Sequence, residues 1–320
     1  FDNVIQGNTG NNVLDGKGGR DTLQGGAGDD TYLVNANDQD AVVEAPNAGY
    51  DIVIASEGSY TLTDNVEKLI VIGNSYYVPQ ITATGNALDN VIVGRADGAG
   101  DTLDGGAGAD TLISNVSGWG GGGTFVVDNA GDRIVTGGTA HDGIVGTYDN
   151  VVSKIDWTLA GAIENLRLQS GSIAAIGTGN ALNNDLRGNE NQNTLYGLGG
   201  DDTFYGGLGA DRLIGGAGND SYFIGMSQYD PYRWMPDYMP EEKNEDTITE
   251  LANEGEDTVF SVFDYELGAN LENLSLFGSG KAIGNALNNR IQASSGGAVL
   301  DGRGGNDLLI GQIARHAQGR

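Results

Sequence analysis

Residues 179–223 read "GNALNNDLR GNENQNTLY GLGGDDTFY GGLGADRLI GGAGNDSYF", five consecutive nonapeptides in one register. Position six is always Asp or Asn: Asn184, Asn193, Asp202, Asp211 and Asp220. Position eight is always large and apolar: Leu186, Leu195, Phe204, Leu213 and Tyr222. Glycine recurs at positions one, two and four, where it lets the backbone reach φ > 0 and bend sharply. One inward residue between two outward neighbours makes a very short β-strand. Each nonapeptide is therefore a turn plus a strand. Two of them complete one coil of a solenoid, with turns alternating between its two edges.

The same register returns at 7–33 ("GNTGNNVLD GKGGRDTLQ GGAGDDTYL") and at 85–113 ("GNALDNVIV", two extra residues, "ADGAGDTLD GGAGADTLI"). It returns again at 284–310 ("GNALNNRIQ ASSGGAVLD GRGGNDLLI"), where Ala298 stands at position six and offers no side-chain ligand. "FDNVIQ" (1–6) aligns with "LDNVIV" and puts Phe1 at position four, so the register predicts a longer array cut partway through a repeat. The basic "GQIARHAQGR" (311–320) is a non-repeating tail.

Composition narrows the chemistry. Of 320 residues 55 are Gly and only 5 Pro, without a Gly-X-Y period, so collagen is excluded. The 44 acidic residues against 16 basic give a net charge of -28, which repels nucleic acid and anionic membranes and repels itself. Asp set among Gly and Asn suits hard divalent cations held by oxygen, calcium first. There is no cysteine, so disulfides and thiolate metal sites are absent, and with only His141 and His316 zinc is disfavoured. No stretch approaches the length of a membrane-spanning helix.

"GGAGDDTYL", "GGLGADRLI" and "GGAGNDSYF" resemble the GGxGxDxUx nonapeptide of the RTX, or hemolysin-type calcium-binding, proteins of secreted bacterial origin. The resemblance implies an all-β fold, a right-handed parallel β-roll with several Ca2+ ions between turns stacked on one edge. A repeat then shares its site with the next but one. Asp202 pairs with Asp220, Asn193 with Asp211, Asn12 with Asp30, Asn3 with Asp21, Asn90 with Asp110, and Asn289 with Asp307. Asn184 and Asp101 complete the expected metal ligands, with glycine-turn carbonyls beside them. Asp202/Asp220 carries two carboxylates and is the strongest pair; sites opened by Asn are weaker. Position-five acids (Asp29, Asp89, Asp201) read as solvated edge charges.

The roll blocks are 1–33, 85–113, 179–223 and 284–310; between them lie β-rich blocks 34–84, 114–178 and 224–283. These too repeat: "YTLTDNVEKLIVIG" (60–73), "WTLAGAIENLRLQS" (157–170) and "YELGANLENLSLFG" (265–278) correspond, as do "DAVVE", "DRIVT" and "DTITE" upstream. None shows a sustained 3.6-residue apolar period, so almost no helix is expected. The whole reads as one continuous solenoid built on a superrepeat of roll block plus wider block. An insertion, "MSQYDPYRWMPDYMPEEKN" (226–244), is a loop folding its aromatics over the flank or, through Tyr229, Tyr232, Trp234 and Tyr238, a contact patch for a neighbouring subunit.

No active site is legible: there is no HExxH and no GxSxG, and His141 in "TAHDGIV" reads as a surface histidine, so no enzyme is expected. Calcium instead acts on folding. Extracellular calcium modules bind with Kd ~10⁻⁴–10⁻³ M. At millimolar calcium a site of ~10⁻⁴ M adds roughly 1.4 kcal/mol, and six or seven add about 8–10 kcal/mol, the stability of a whole domain. The resemblance implies export unfolded through a type I system and folding outside. Two functions fit: an extracellular scaffold (surface layer, adhesin, sheath or filament) that self-associates or meets a cell-surface or matrix partner, or the non-catalytic export and folding region of a larger enzyme or toxin. The superrepeat favours the first.

Overall fold

A computed structural model describes residues 1–56, 58–73, 80–95, 100–114, 122–136, 149–228, 237–238, 245–294 and 296–311. None of these is helical; the strands are short and, apart from one small pair, parallel. The chain divides into two compact units, Phe1–Ile155 and Asp156–Arg320, each a parallel β-solenoid.

In the first unit, one sheet runs through Val13–Asp15, Thr31–Asn35, Ile52–Ser56, Lys68–Ile72, Val91–Val93, Thr111–Ser114 and Arg133–Thr136. The alternate strands, Val4–Gln6, Thr22–Gln24 and Ala41–Val43, pair in parallel. So do Thr82–Thr84, Thr102–Asp104, Thr124–Val127 and Asn150–Ser153. Strands of the wider block therefore pair with strands of the roll: Ile52–Ser56 lies between Thr31–Asn35 and Lys68–Ile72.

The second unit repeats the plan. Asn165–Leu168, Asp185–Arg187, Thr203–Tyr205, Ser221–Ile224, Thr258–Ser261, Asn273–Leu276, Arg290–Ala293 and Leu308–Ile310 follow one another in parallel. Opposite them run Ile176–Thr178, Thr194–Gly199, Arg212–Ala217 and Thr247–Thr249.

The step between paired residues follows the sequence. It is 18 residues inside a roll block (Asn184 to Asp202), 20 where two extra residues enter (Asn90 to Asp110), and 37 where the insertion lengthens a coil (Asp220 to Asp257). The insertion leaves the strand pairing intact, because Ser221–Ile224 still meets Thr258–Ser261 in register.

Position eight forms the core as expected: Leu14, Leu23, Tyr32, Ile92, Leu103, Leu112, Leu186, Leu195, Phe204, Leu213, Tyr222 and Ile291 are all buried. The wider blocks feed the same core through Val53, Leu69, Leu166, Val259 and Leu274. Ile5 and Leu300 are half-buried and Leu309 exposed, since no further described coil packs on them. Phe204 stacks on Tyr222 with ring centroids 5.0 Å apart.

A second apolar row, on the outer side of the second unit, is not evident from the repeat alone. Position-nine residues Tyr205 and Phe223 stack at 4.7 Å, and Phe223 stacks on Phe260 at 4.6 Å. Met226, the first residue of the insertion, is buried against Tyr205 and Phe223. Its strand, Met226–Gln228, runs antiparallel to Asp237–Tyr238, which places the backbone of Tyr238. Tyr229, Tyr232 and Trp234 lie outside the described residues, as do His141, His316 and residues 312–320.

Candidate metal sites

The turns expose why each repeat position is what it is. Most position-two and position-four glycines take positive φ, as at Gly216 (99°) and Gly218 (144°). Position one does not, and its glycine has a different cause. A Cβ on Gly197 would lie 2.1 Å from Asp202 Oδ2 and 2.5 Å from the Gly215 carbonyl oxygen. The missing side chain leaves a cradle into which a carboxylate and the next coil's carbonyl both point.

Position-six residues form a ladder along each edge. The backbone N–H of one donates to Oδ1 of the next coil's acid: Asn3 to Asp21 and Asn12 to Asp30 (both 2.6 Å), Asn90 to Asp110, Asn184 to Asp202 and Asn193 to Asp211 (each 2.7 Å), Asp202 to Asp220 (2.8 Å), and Asn289 to Asp307 (2.9 Å). The structure thus brings together every pair expected from the repeat. The second oxygen, Oδ2, of Asp21, Asp30, Asp110, Asp202, Asp211 and Asp220 is buried and has no hydrogen-bond partner. A buried carboxylate oxygen left unpaired is costly. It is satisfied here by a proton or by a cation.

Burial is the main reason Asp110, Asp202, Asp211 and Asp220 resist ionisation. It raises Asp202 to about 8, and Asp110, Asp211 and Asp220 to about 7, with a neighbouring carboxylate adding to each. Only the backbone N–H bond opposes the rise. A hard divalent ion fits the donor set, which is carboxylate and carbonyl oxygen without nitrogen or sulfur.

The asparagines do a different job. Oδ1 of Asn90, Asn184, Asn193 and Asn289 accepts a backbone N–H of its own turn at 2.7–2.8 Å. The amide nitrogen then donates to carbonyls of the preceding coil, Asn90 to Val66 (3.0 Å) and Asn289 to Leu271 (3.1 Å) and Glu272 (3.2 Å) among them. Asn stands where a roll block begins, and its amide supplies a donor there that the Asp at later rungs lacks.

Asp101 departs from the pattern. Arg95, one of the two extra residues before its repeat, is buried and grips both its oxygens, Nε to Oδ2 at 2.9 Å and Nη2 to Oδ1. A guanidinium occupies the place that the expected ligand role gave to calcium.

Position five also differs from a solvated charge. Asp29, Asp89 and Asp201 are exposed, yet each accepts a backbone N–H from the next coil: from Tyr50 (2.9 Å), Ala109 (2.7 Å) and Asn219 (2.7 Å). They form an outer ladder that fixes the turn spacing.

Sequence reasoning missed the continuation of the inner ladder into the wider blocks. Asp21 N–H donates to Asp40, Asp30 to Asp51, Asp51 to Glu67, Asp110 to Asp132, Asp211 to Asp246, Asp220 to Asp257, and Asp257 to Glu272. The signal was present: Asp40, Asp132 and Asp246 open the corresponding segments "DAVVE", "DRIVT" and "DTITE".

Together these features define a class, a parallel β-solenoid whose nonapeptide turns carry an acidic ladder with unpaired buried oxygens. The family model described as RTX calcium-binding nonapeptide repeat (4 copies) matches residues 1–32, 84–115, 178–213, 187–222 and 283–313. The chain carries RTX calcium-binding repeats in all four of its roll blocks, and calcium is the ion this family implies. No curated protein matches the chain.

The cradle makes a specific expectation. Gly197→Ala puts a methyl between Asp202 Oδ2 and the Gly215 carbonyl and will remove one calcium equivalent in equilibrium dialysis. Gly199→Ala, whose Cβ meets only the Ala217 carbonyl oxygen at 3.4 Å, will leave the stoichiometry unchanged.

Proposed function

We propose that this chain is a calcium-folded structural region of a secreted bacterial protein, and that its role is that of an extracellular scaffold. The observation that carries the reading is the recurrence of one ladder in both units, through roll blocks and wider blocks alike. Among the described residues the regular framework is a stack of buried acids with unpaired oxygens, which suits cations. The RTX β-solenoid is itself a non-catalytic repeat fold.

In this reading Asp21, Asp30, Asp110, Asp202, Asp211, Asp220 and Asp307 supply the carboxylates that hold Ca2+, with turn carbonyls beside them. Asn3, Asn12, Asn90, Asn184, Asn193 and Asn289 begin each ladder. Asp101 is served by Arg95. Low calcium inside the cell keeps the chain unfolded for type I export, and millimolar calcium outside folds it. Self-association or a surface partner then makes it a scaffold.

Negative-stain electron microscopy of the chain with and without millimolar calcium tests the role. Ordered assemblies formed only with calcium support a scaffold. Folded, monodisperse particles at all concentrations favour an export and folding region.

A further inference from the structure

Two places in the ladder differ from all its other described rungs. In the first unit, one oxygen from each of Asp30, Glu44 and Asp51 lies within 4.8 Å of the others; in the second, the same holds for Asp220, Glu250 and Asp257. All six residues are at least nine-tenths buried. Asp30 and Asp220 come from the last nonapeptide of a roll block, while the glutamates and the further aspartates come from the wider block behind it.

The spare oxygens converge. Oδ2 of Asp30, Asp51 and Asp220, and Oε2 of Glu250, are buried without a partner. The Tyr32 hydroxyl donates to Glu44 Oε1, and the Tyr222 hydroxyl to Glu250 Oε1. A Cβ on Gly25 would lie 2.2 Å from Asp30 Oδ2, 2.2 Å from the Tyr32 hydroxyl oxygen and 2.6 Å from Glu44 Oε1. At Gly215 the corresponding distances, to Asp220, Tyr222 and Glu250, are 2.1, 2.1 and 2.2 Å. The backbone behind each glutamate is pinned as well: Asn65 Nδ2 donates to the Glu44 carbonyl (3.0 Å), and Asn270 Nδ2 to that of Glu250 (2.9 Å).

The chain contains its own comparison. The repeat at 105–113 has Leu112 at position eight instead of Tyr, and its following segment, "DRIVT", ends in Thr136 instead of Glu. Tyrosine and glutamate are present together twice and absent together once. The three atoms nearest a Cβ on Gly105 are accordingly all of the Asp110 side chain, whereas at Gly25 and Gly215 a tyrosine and a glutamate oxygen are among them.

We infer that Asp30/Glu44/Asp51 and Asp220/Glu250/Asp257 are two additional cation sites, one in each unit, built from three carboxylates with a tyrosine hydroxyl holding the glutamate. They rest on the reading that the chain binds calcium, and they differ from the nonapeptide sites in charge. Three carboxylates overcompensate a divalent ion and match a trivalent one, so these sites are the tightest for calcium and take lanthanides readily. Their ligands span the junction of roll and wider block, so the ion fastens one to the other.

Calcium titration of the full chain against a chromophoric chelator tests this. Glu44→Gln and Glu250→Gln are each expected to weaken one of the tightest equivalents by at least about tenfold, since affinity follows ligand charge. The double variant will weaken two and keep the rest, with calcium-induced circular dichroism intact. Unchanged stoichiometry and affinities would overturn the assignment. A wild-type chain that binds no calcium at all would instead sink the proposed function. If the glutamine variants do not fold, Tyr32→Phe/Tyr222→Phe with terbium as the probe decides. Terbium beside the two hydroxyls is excited through tyrosine, so emission falls in the variant while bound terbium stays constant. Emission unchanged from wild type overturns the assignment.

Discussion

In excess EGTA at pH 8 the chain will lose its β circular dichroism, and millimolar calcium will restore it cooperatively. The ladder dictates this. Asp202 and Asp220 hang on consecutive rungs, each with one buried oxygen unpaired. Without a cation the folded chain must either leave those oxygens charged in a poor solvent or protonate them.

Protons therefore compete with calcium, and the direction is opposite to that of an ordinary salt-bridged carboxylate. Folded-state values near 7 to 8 for Asp110, Asp202, Asp211 and Asp220 stand above the ordinary 3.8. In chelator the folded chain thus binds more protons than the unfolded one between these limits, and stability falls as pH rises through that window. The chain stripped of calcium and desalted will retain more strand signal at pH 5 than at pH 8. Calcium will remove the difference by taking the protons' place. A chain that stays folded in EGTA at pH 8 would refute the cation requirement.

The second large effect is expected from Phe204→Ala. Phe204 is fully buried between coils and stacks on Tyr222. Truncating a buried Phe to Ala costs about 3–5 kcal/mol, and the stacked partner keeps no aromatic contact from that side. A solenoid coil is thin, with one such side chain from each short strand, so the loss cannot be shared widely. Because calcium and core stabilise the same folded state, the deficit must be made up by mass action. The calcium midpoint of folding will rise severalfold, while stoichiometry at saturation stays that of the wild type. A midpoint equal to the wild type would show that the position-eight row contributes little.

Much of this was legible in the sequence, for physical reasons. Turn glycine, position-six acid and position-eight apolar residue each answer a local demand repeated every nine residues, so the periodicity exposes the coil, its core and its ladder. Asn12–Asp30 and Asn193–Asp211 could be paired before any coordinates. What stayed hidden depended on neighbours brought together by stacking. Asp51 and Asp257 extend the ladder only because coils of unequal length meet in register. The position-one glycine looked like a bending residue, whereas its contact is with a carboxylate of its own repeat and a carbonyl from the next coil. Asp101 looked like any other position-six acid until Arg95 was seen folded back onto it.

That buried Arg95–Asp101 pair has a consequence for how the first unit loads and unloads. A calcium ion can diffuse away, but a guanidinium six residues upstream is tethered, so its effective concentration at Asp101 does not depend on the medium. In the proposed calcium-bound stack, this one step carries its own counter-charge. On that reading, the coils on either side of it lose their counter-charges as calcium falls while it keeps its own. Arg95→Ala is accordingly expected to make calcium-induced folding depend on one more ion, read as a steeper calcium titration of the circular dichroism.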